Sequence, residues 1–557
     1  MDNYAIADQF SLLSKLMDIH GENSFKSKSY SIAAYNIEQL PAQLADLPRE
    51  KIAALKGIGD STARKIFEIL DTGRLSLLEE IVLKTPPGVL DMLQIKGLGP
   101  KKIATVWKEM GIESIGELLY ACQENRLLLF KGFGEKTQQN VREAIEFFLR
   151  HQGQFLYAEL SAYADAVASR IRIDFPGELT STAGAIRRQC LTLEQLEWVT
   201  TIPADALTAW LQAAGYSIEQ KTGASILCNA PERAPMEFHL ASKDSFGSAL
   251  FEKTAGAAFL DAWSAEKLPL PVAASEEALF SEAGIPFIEP CLREDGRCIS
   301  QARKGPMPRL IRDGDIRGII HSHSDWSDGS NTLEEMARAC MEQRFEYLVI
   351  SDHSKSAFYA KGLSEERIRA QQELIRTLNE KLHPFKIFSS IECDILGDGS
   401  MDYSDEVLAT FDLVIASVHS NLKMTREKAM QRLLGAIRNP YTTILGHPTG
   451  RLLLSREGYP VDHSAMIDAC VENGVIIEIN AHPRRLDLDW TWIPEAMDKG
   501  ALLSIDPDAH AVEGYADVLY GILAAQKGGL VREKNLSSFS RAELENFLEN
   551  RKKNRRP

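Results

Sequence analysis

From residue 312 onward, short apolar runs alternate with longer amphipathic stretches. The runs are IRGII (316–320), YLVIS (347–351), KIFSSIE (386–392), DLVIASV (412–418), TTILG (442–446), VIIEIN (475–480) and ALLSID (501–506). Short apolar runs separated by helical stretches predict buried parallel strands with crossover helices, hence an α/β barrel of seven strands. Residues 1 to 150 follow another rhythm. Three segments, Leu55-Lys56-Gly57-Ile58-Gly59, Ile95-Lys96-Gly97-Leu98-Gly99 and Phe130-Lys131-Gly132-Phe133-Gly134, each precede an amphipathic helix.

The polar residues that interrupt the barrel pattern fall at the carboxy ends of the predicted strands, where α/β barrels place their chemistry. The first run ends in His321-Ser322-His323. Residues two apart in a strand share a face, so both imidazoles can aim at one point. Asp328 follows in the same loop. The second run supplies His353, the third Glu392, the fourth His419, the fifth His447, and the seventh Asp508 and His510. Six of the chain's 12 histidines occupy these positions. Six imidazoles and three carboxylates exceed what one ion uses, so a cluster of two or three divalent ions is expected, with Glu392 and Asp508 bridging. Imidazole-rich sites suit Zn²⁺, Mn²⁺ or Fe²⁺. Such ions activate water and draw charge from a phosphoryl group, so phosphoester hydrolysis is the expected reaction class. Arg485, after the sixth strand, is a candidate for holding a phosphate oxygen. A rim salt bridge from Arg484 or Arg485 to Asp487 or Asp489 is the alternative.

The amino-terminal repeats carry different chemistry. A hydrophobic-Lys-Gly-hydrophobic-Gly turn leaves amide groups at a helix start facing outward, which favours an anion. Three copies (Gly57 and Gly59, Gly97 and Gly99, Gly132 and Gly134) fit the helix-hairpin-helix pattern that grips DNA phosphates without reading bases.

Composition qualifies this picture little. A mean hydropathy of -0.18 and 25% charged residues describe a soluble globular chain, and 557 residues imply several domains. No apolar run reaches the ~20 residues a membrane helix needs. The eight scattered cysteines, without a C-x-x-C pair, suggest reduced thiols and a cytoplasmic location. The net charge of -15 argues at face value against nucleic acid, but residues 1–150 hold 19 Lys and Arg against 20 Asp and Glu. The negative excess therefore lies beyond the hairpins.

The segment Phe25-Lys26-Ser27-Lys28-Ser29-Tyr30, followed by KGIGDSTARKIFEIL, resembles the amino-terminal lyase domain of family X DNA polymerases. The carboxy-terminal ligand pattern resembles the PHP (polymerase and histidinol phosphatase) domain of the bacterial members, with all nine metal positions matched. The resemblance implies a multidomain α+β and α/β chain. Residues 1–80 are a lyase-like helical domain, 81–150 a fingers-like domain with two hairpins, 151–295 a nucleotidyltransferase-like palm and thumb, 296–311 a linker, and 312–557 a distorted (β/α)7 barrel. Lys65 falls at the family's Schiff-base lysine.

The palm departs from the family. Gly184, Arg187 and Arg188 remain, but Ala185 replaces the motif serine, Gln195 and Glu197 replace the two aspartates, and Glu237 stands for the third carboxylate. Glutamine carries no charge and glutamate is longer by a methylene, so two-metal nucleotidyl transfer is expected to be lost. The resemblance then implies a 3'-to-5' exonuclease or 3'-end trimming activity in the PHP domain, on gapped, nicked or abasic duplex DNA. Two alternatives stay open: a gap-filling polymerase with a divergent metal site, and a PHP phosphatase of a small phosphate ester. The basic tail, Arg551 to Pro557, is expected to be solvated and disordered.

Overall fold

The computed structural model describes residues 3–38, 40, 43–53, 55, 58–150, 153–229 and 234–554. It consists of two compact units, Met1–Phe148 and Leu149–Pro557.

The first unit is helical, and its hairpins explain their sequence pattern residue by residue. In each, the middle apolar residue (Ile58, Leu98 or Phe133) is buried and donates its backbone N–H three residues back, to Leu55, Ile95 or Phe130. Gly97 (φ 88°) and Gly132 (φ 97°) adopt the left-handed conformation that the turn demands and that side chains resist. Gly59 and Gly99 then open the helices Asp60–Thr72 and Pro100–Ala104 with nearly identical extended dihedrals. Gly57 lies outside the described residues.

The second unit begins with a five-stranded sheet: β1 (Thr180–Ala183), β2 (Leu196–Thr200), β3 (Ser217–Lys221), β4 (Ser225–Asn229) and β5 (Pro235–Leu240), in the order β1-β2-β5-β4-β3. Its alternating burial covers a core centred on Trp198 stacked on Phe238 at 4.9 Å. Aromatics then gather in a second core of Phe251, Phe259, Trp263 and Phe280, with the buried Arg293 guanidinium over Phe280 and paired with Glu276. Residues 296–311, expected as a linker, include the helix Arg297–Ala302, whose Ile299 and Ala302 are buried in that same core.

The barrel strands are β6 (Gly318–Ile319), β7 (Tyr347–Ile350), β8 (Lys386–Ser389), β9 (Glu392–Asp394), β10 (Ile415–Ser417), β11 (Ile444–Leu445), β12 (Ile476–Asn480) and β13 (Leu503–Asp506), all parallel. The third expected strand is broken: Ser390 and Ile391 separate β8, which pairs with β7, from β9, which pairs with β10. Two sheets result, β8-β7-β6 and β9-β10-β11-β12-β13. Single bridges, His353 to Glu392 and Ser322 to Ala509, close them into a ring. Both bridges lie at the strands' carboxy ends and involve or adjoin candidate ligands.

The tail departs from expectation. Its described part continues the helix Arg541–Asn554, and Arg551 donates to the backbone carbonyls of Gly474 and Thr442 while Lys552 pairs with Asp412. Two barrel carbonyls and a carboxylate thus give Arg551 and Lys552 fixed partners, although Lys552 stays exposed.

Candidate metal centre

The nine candidate ligands converge at the closed end of the ring. Glu392 lies at the centre, with its two oxygens facing five imidazoles. Its Oε1 is 3.3 Å from His321 Nε2, 3.0 Å from His419 Nε2 and 2.9 Å from His447 Nε2. Its Oε2 is 3.0 Å from His353 Nδ1 and 3.6 Å from His323 Nε2. Asp508 Oδ1 spans His321 and His323 at 3.4 and 3.1 Å. Asp328 lies 3.5 Å from His353 and 3.6 Å from His510. Three overlapping groups form: His323, Asp328, His353 and His510; His321, His323 and Asp508; and His353, Glu392 and His419.

Three of the nine take backbone conformations that side chains rarely adopt: His321 (φ 58°), His447 (φ 21°) and Asp508 (φ 54°). Such strain persists where the surroundings impose it, and here it turns each side chain inward at a strand end.

Without an ion, the buried carboxylates hold His321, His353 and His419 protonated while His323 is neutral, and a bound cation would displace those protons. Burial would lower the His321 pKa, but Glu478, Asp508 and Glu392 raise it well above the usual range. His323 is pushed down to about 3 by burial and by His510 and His353, so it is neutral. Burial would favour a protonated Glu392, but His419, His321 and His353 hold its carboxyl well below the usual range. Buried His321 Nε2 and Glu392 Oε2 have no hydrogen-bond partner although charged groups crowd them. Divalent ions among these nitrogen and oxygen donors would satisfy both atoms, so the residues fit the expected metals.

Around the ligands lies a layer that sequence reading missed. Glu478 accepts from His321 Nδ1, and Asp394 contacts His419 Nδ1 at 3.0 Å. Asn480 donates to Asp508 Oδ2 at 3.0 Å. Fully buried Asp352 accepts from Ser324 N (2.8 Å), Ser324 Oγ (2.7 Å), Ser327 Oγ (2.5 Å) and Gln371 (2.6 Å), which fixes the loop carrying Asp328. The signals were present: a glutamate inside the apolar run VIIEIN, and Asp394 two residues after Glu392 on the same strand face.

The two arginines part. Arg485 Nε lies 3.7 Å from Asp508 Oδ2, whereas Arg484 reaches Glu159 at 3.4 Å on the helix Tyr157–Asp174. The partner of Asp489 is Arg451.

In the sheet domain, Glu197 and Glu237 pair across β2 and β5 and address opposite nitrogens of one ring. Glu197 Oε2 is 3.1 Å from His239 Nε2, and Glu237 Oε1 is 3.7 Å from His239 Nδ1. Arg187 pairs with Glu276 at 2.6 Å, and Arg188 with Glu294 at 2.8 Å. In the first unit, Lys65 Nζ lies 5.7 Å above the ring of Tyr30. Around Gly59, Gly97, Gly99, Gly132 and Gly134 a side chain would meet nothing within 4 Å, so these backbones are open to an approaching ligand.

A ring of parallel strands with a buried nine-donor cluster at its carboxy end, preceded by a five-stranded sheet and a unit of glycine hairpins, defines a helix-hairpin-helix protein with a PHP-type metal centre. The helix-hairpin-helix domain model matches residues 1–75, the SAM-like helix-hairpin-helix tandem residues 89–146, and the PHP domain residues 320–482. The DNA polymerase/3'-5' exonuclease PolX of Bacillus subtilis (strain 168) is 31% identical over 96% of this chain and 96% of its own. The chain belongs to that PolX family. A "Probable phosphatase" of Caldanaerobacter subterraneus subsp. tengcongensis is 28% identical over 32% of this chain and 65% of its own length. Another, of Shewanella oneidensis, is 30% identical over 19% and 41%. Asp508 and His510 lie beyond the matched PHP span, and β13 brings them to the centre. No helix among the described residues is long and apolar enough to cross a membrane.

Proposed function

We propose that this protein is a DNA-processing phosphoesterase. Its barrel removes nucleotides from the 3' ends of gapped or nicked DNA, and its sheet domain no longer polymerises. The observation that carries the reading is fully buried Glu392, whose two oxygens are shared among five imidazoles. Only a multi-ion centre makes use of such a donor set.

His321, His323, Asp328, His353, Glu392, His419, His447, Asp508 and His510 would hold two or three ions of Mn²⁺, Zn²⁺ or Fe²⁺. Bound there, the ions supply Lewis acidity, lowering the pKa of a water and drawing charge from the phosphoryl group. The chain's own residues do the rest. Arg485, behind Asp508, orients a non-bridging phosphate oxygen. Glu478 and Asp394 hold His321 and His419 in the tautomers that face the centre. Gly59, Gly97, Gly99, Gly132 and Gly134, with Gly57, hold the duplex through phosphates. Lys65 is the candidate for attack on an abasic sugar.

The altered motif of the sheet domain supports the loss of polymerisation. Gln195 is neutral; Glu197 and Glu237 still gather with His239, their ligand atoms within 4.8 Å of one another, but this leaves two carboxylates where the family uses three. A cytoplasmic location accords with a DNA substrate and eight free cysteines.

The test is digestion of a 5'-labelled gapped duplex with and without Mn²⁺, alongside nucleotide incorporation on the same substrate. Metal-dependent shortening without extension is expected. Extension would restore the polymerase reading. Turnover of free phosphate monoesters with no shortening would favour a small-ester phosphatase, the reading suggested by the relatives called probable phosphatases.

A further inference from the structure

The loop that begins with His353 carries a feature that metal binding does not require. Phe358 is 82% exposed, and it is the only aromatic among the strongly exposed large hydrophobic residues described in the second unit. Lone exposed apolar residues are common and need no explanation. This one is held by an unusually fixed loop.

Three anchors tie the loop's first half. Ser354 N donates to Glu392 O at 3.0 Å, Lys355 N to Tyr403 Oη at 3.0 Å, and Ser356 N to Asp402 Oδ2 at 2.7 Å. At the far end, Leu363 N donates to His353 O at 2.9 Å, and Tyr403 Oη donates to Leu363 O. Ala357 and Ala360, on either side of exposed Phe358 and half-buried Tyr359, are fully buried. Gly362 packs so closely that a side chain there would come within 1.8 Å of Ser354 O. The backbone is thus clamped from both ends while one ring projects into solvent, braced edge-to-face by Tyr359 at 5.9 Å.

Charge adds a second, independent indication. Lys355 and Lys361 stand three residues before and after Phe358 on the same loop, and both are exposed, Lys355 with its ammonium 5.0 Å over the Tyr403 ring and 3.7 Å from Glu365. A rigid aromatic with a cation on each side is the combination that receives single-stranded nucleic acid, with a base on the ring and phosphates on the amines. The loop leaves β7 at the carboxy end and begins with His353, whose bridge to Glu392 ties it to the cluster.

We propose that Phe358, with Lys355 and Lys361, is a stacking platform that receives an unpaired base of the 3' strand and feeds its terminal phosphodiester to the metal centre. The inference rests on the DNA reading above and deepens it. The loop prefers 3' ends that carry bases to base-free backbone. A small phosphate ester would have no use for this platform.

The experiment compares wild type, Phe358→Ala and Phe358→Trp on two oligonucleotides. One has an ordinary three-nucleotide 3' tail, and the other has tetrahydrofuran (base-free) residues in that tail. KM, kcat and bound metal are measured for each. Stacking of one base is expected to give wild type a KM about 5- to 100-fold lower on the tail with bases. Phe358→Ala should lose this difference, with kcat and metal content unchanged, and Phe358→Trp should keep it. Because the ring is exposed, the variants should melt with wild type. If Phe358→Ala retains the base preference, or loses kcat equally on both tails, the platform is refuted while the nuclease reading stands. If wild type shortens neither tail, the nuclease reading fails and the platform with it.

Discussion

One carboxylate joins two candidate ligands from different strands: Glu478 accepts from His321 Nδ1 through Oε1 and from the backbone N–H of His447 through Oε2, the latter at 2.5 Å. Both groups are fully buried, and both ligand residues carry positive φ. The contact fixes which imidazole nitrogen faces Glu392 and holds a strained backbone in place. Glu478→Gln should therefore lower metal affinity by about 10- to 100-fold, as loss of an outer-shell carboxylate does. Competition with a chromogenic chelator measures it, and wild-type affinity in the variant would remove Glu478 from the site.

His323→Ala takes one imidazole from two of the three donor groups. Metal content should fall by at least one ion per chain, and 3'-end shortening should drop to background. Chelation of the wild type should give the same loss, reversed on adding Mn²⁺. Shortening at the wild-type rate in His323→Ala would overturn the ligand assignment.

The paired change Gln195→Ala/Glu197→Ala removes the two positions that replace the motif aspartates and leaves Glu237 beside His239. Exonuclease rate and metal content in the barrel should stay within about twofold of wild type. A collapse of nuclease activity would restore the sheet domain as an active centre.

Wild type should be trapped by borohydride on a duplex with an incised abasic site, and Lys65→Ala should abolish that trapping while leaving shortening unchanged. Gly97→Ala forces a side chain into φ 88° and should weaken duplex binding several-fold without preference for sequence. Anisotropy with two unrelated duplexes checks both halves of that statement.

Glu294 joins the barrel to the rest of its unit. Lys527 Nζ, almost fully buried, lies 2.5 Å from Glu294 Oε1, which also takes Arg188 Nε and faces Cys190. Burial would raise the Glu294 pKa, but Lys527 and Arg188 bring it down to about 2. A depressed carboxyl contributes stability that is full above its ordinary pKa, near 4.5, and lost as pH falls through the folded value. Glu294→Gln leaves a buried ammonium without its carboxylate and should cost about 3 kcal/mol at neutral pH. The gap in Tm from wild type should hold above pH 5 and narrow from pH 4.5 toward 2. A gap independent of pH would assign the loss to packing.

The sequence by itself determined the periodic features. Seven apolar runs gave the barrel, because a buried parallel strand must be apolar on both faces. Histidines and carboxylates at the ends of those runs located the centre, because strand ends of such a ring meet on one side. The glycine hairpins were equally legible, since Gly97 and Gly132 occupy dihedrals that glycine alone adopts easily. Tertiary structure decided what depends on approach in three dimensions. It broke the third strand at Ser390, a break the continuous run KIFSSIE conceals. It sent Arg485 to the centre and Arg484 to Glu159, although adjacent residues of one type are indistinguishable in sequence. It seated Arg551 and Lys552 on carbonyls and a carboxylate more than 70 residues away along the chain. It also gathered Glu478, Asp394 and Asp352 behind the ligands. Periodicity records which face of an element is buried, but the partner of a buried charge is set by how distant strands pack.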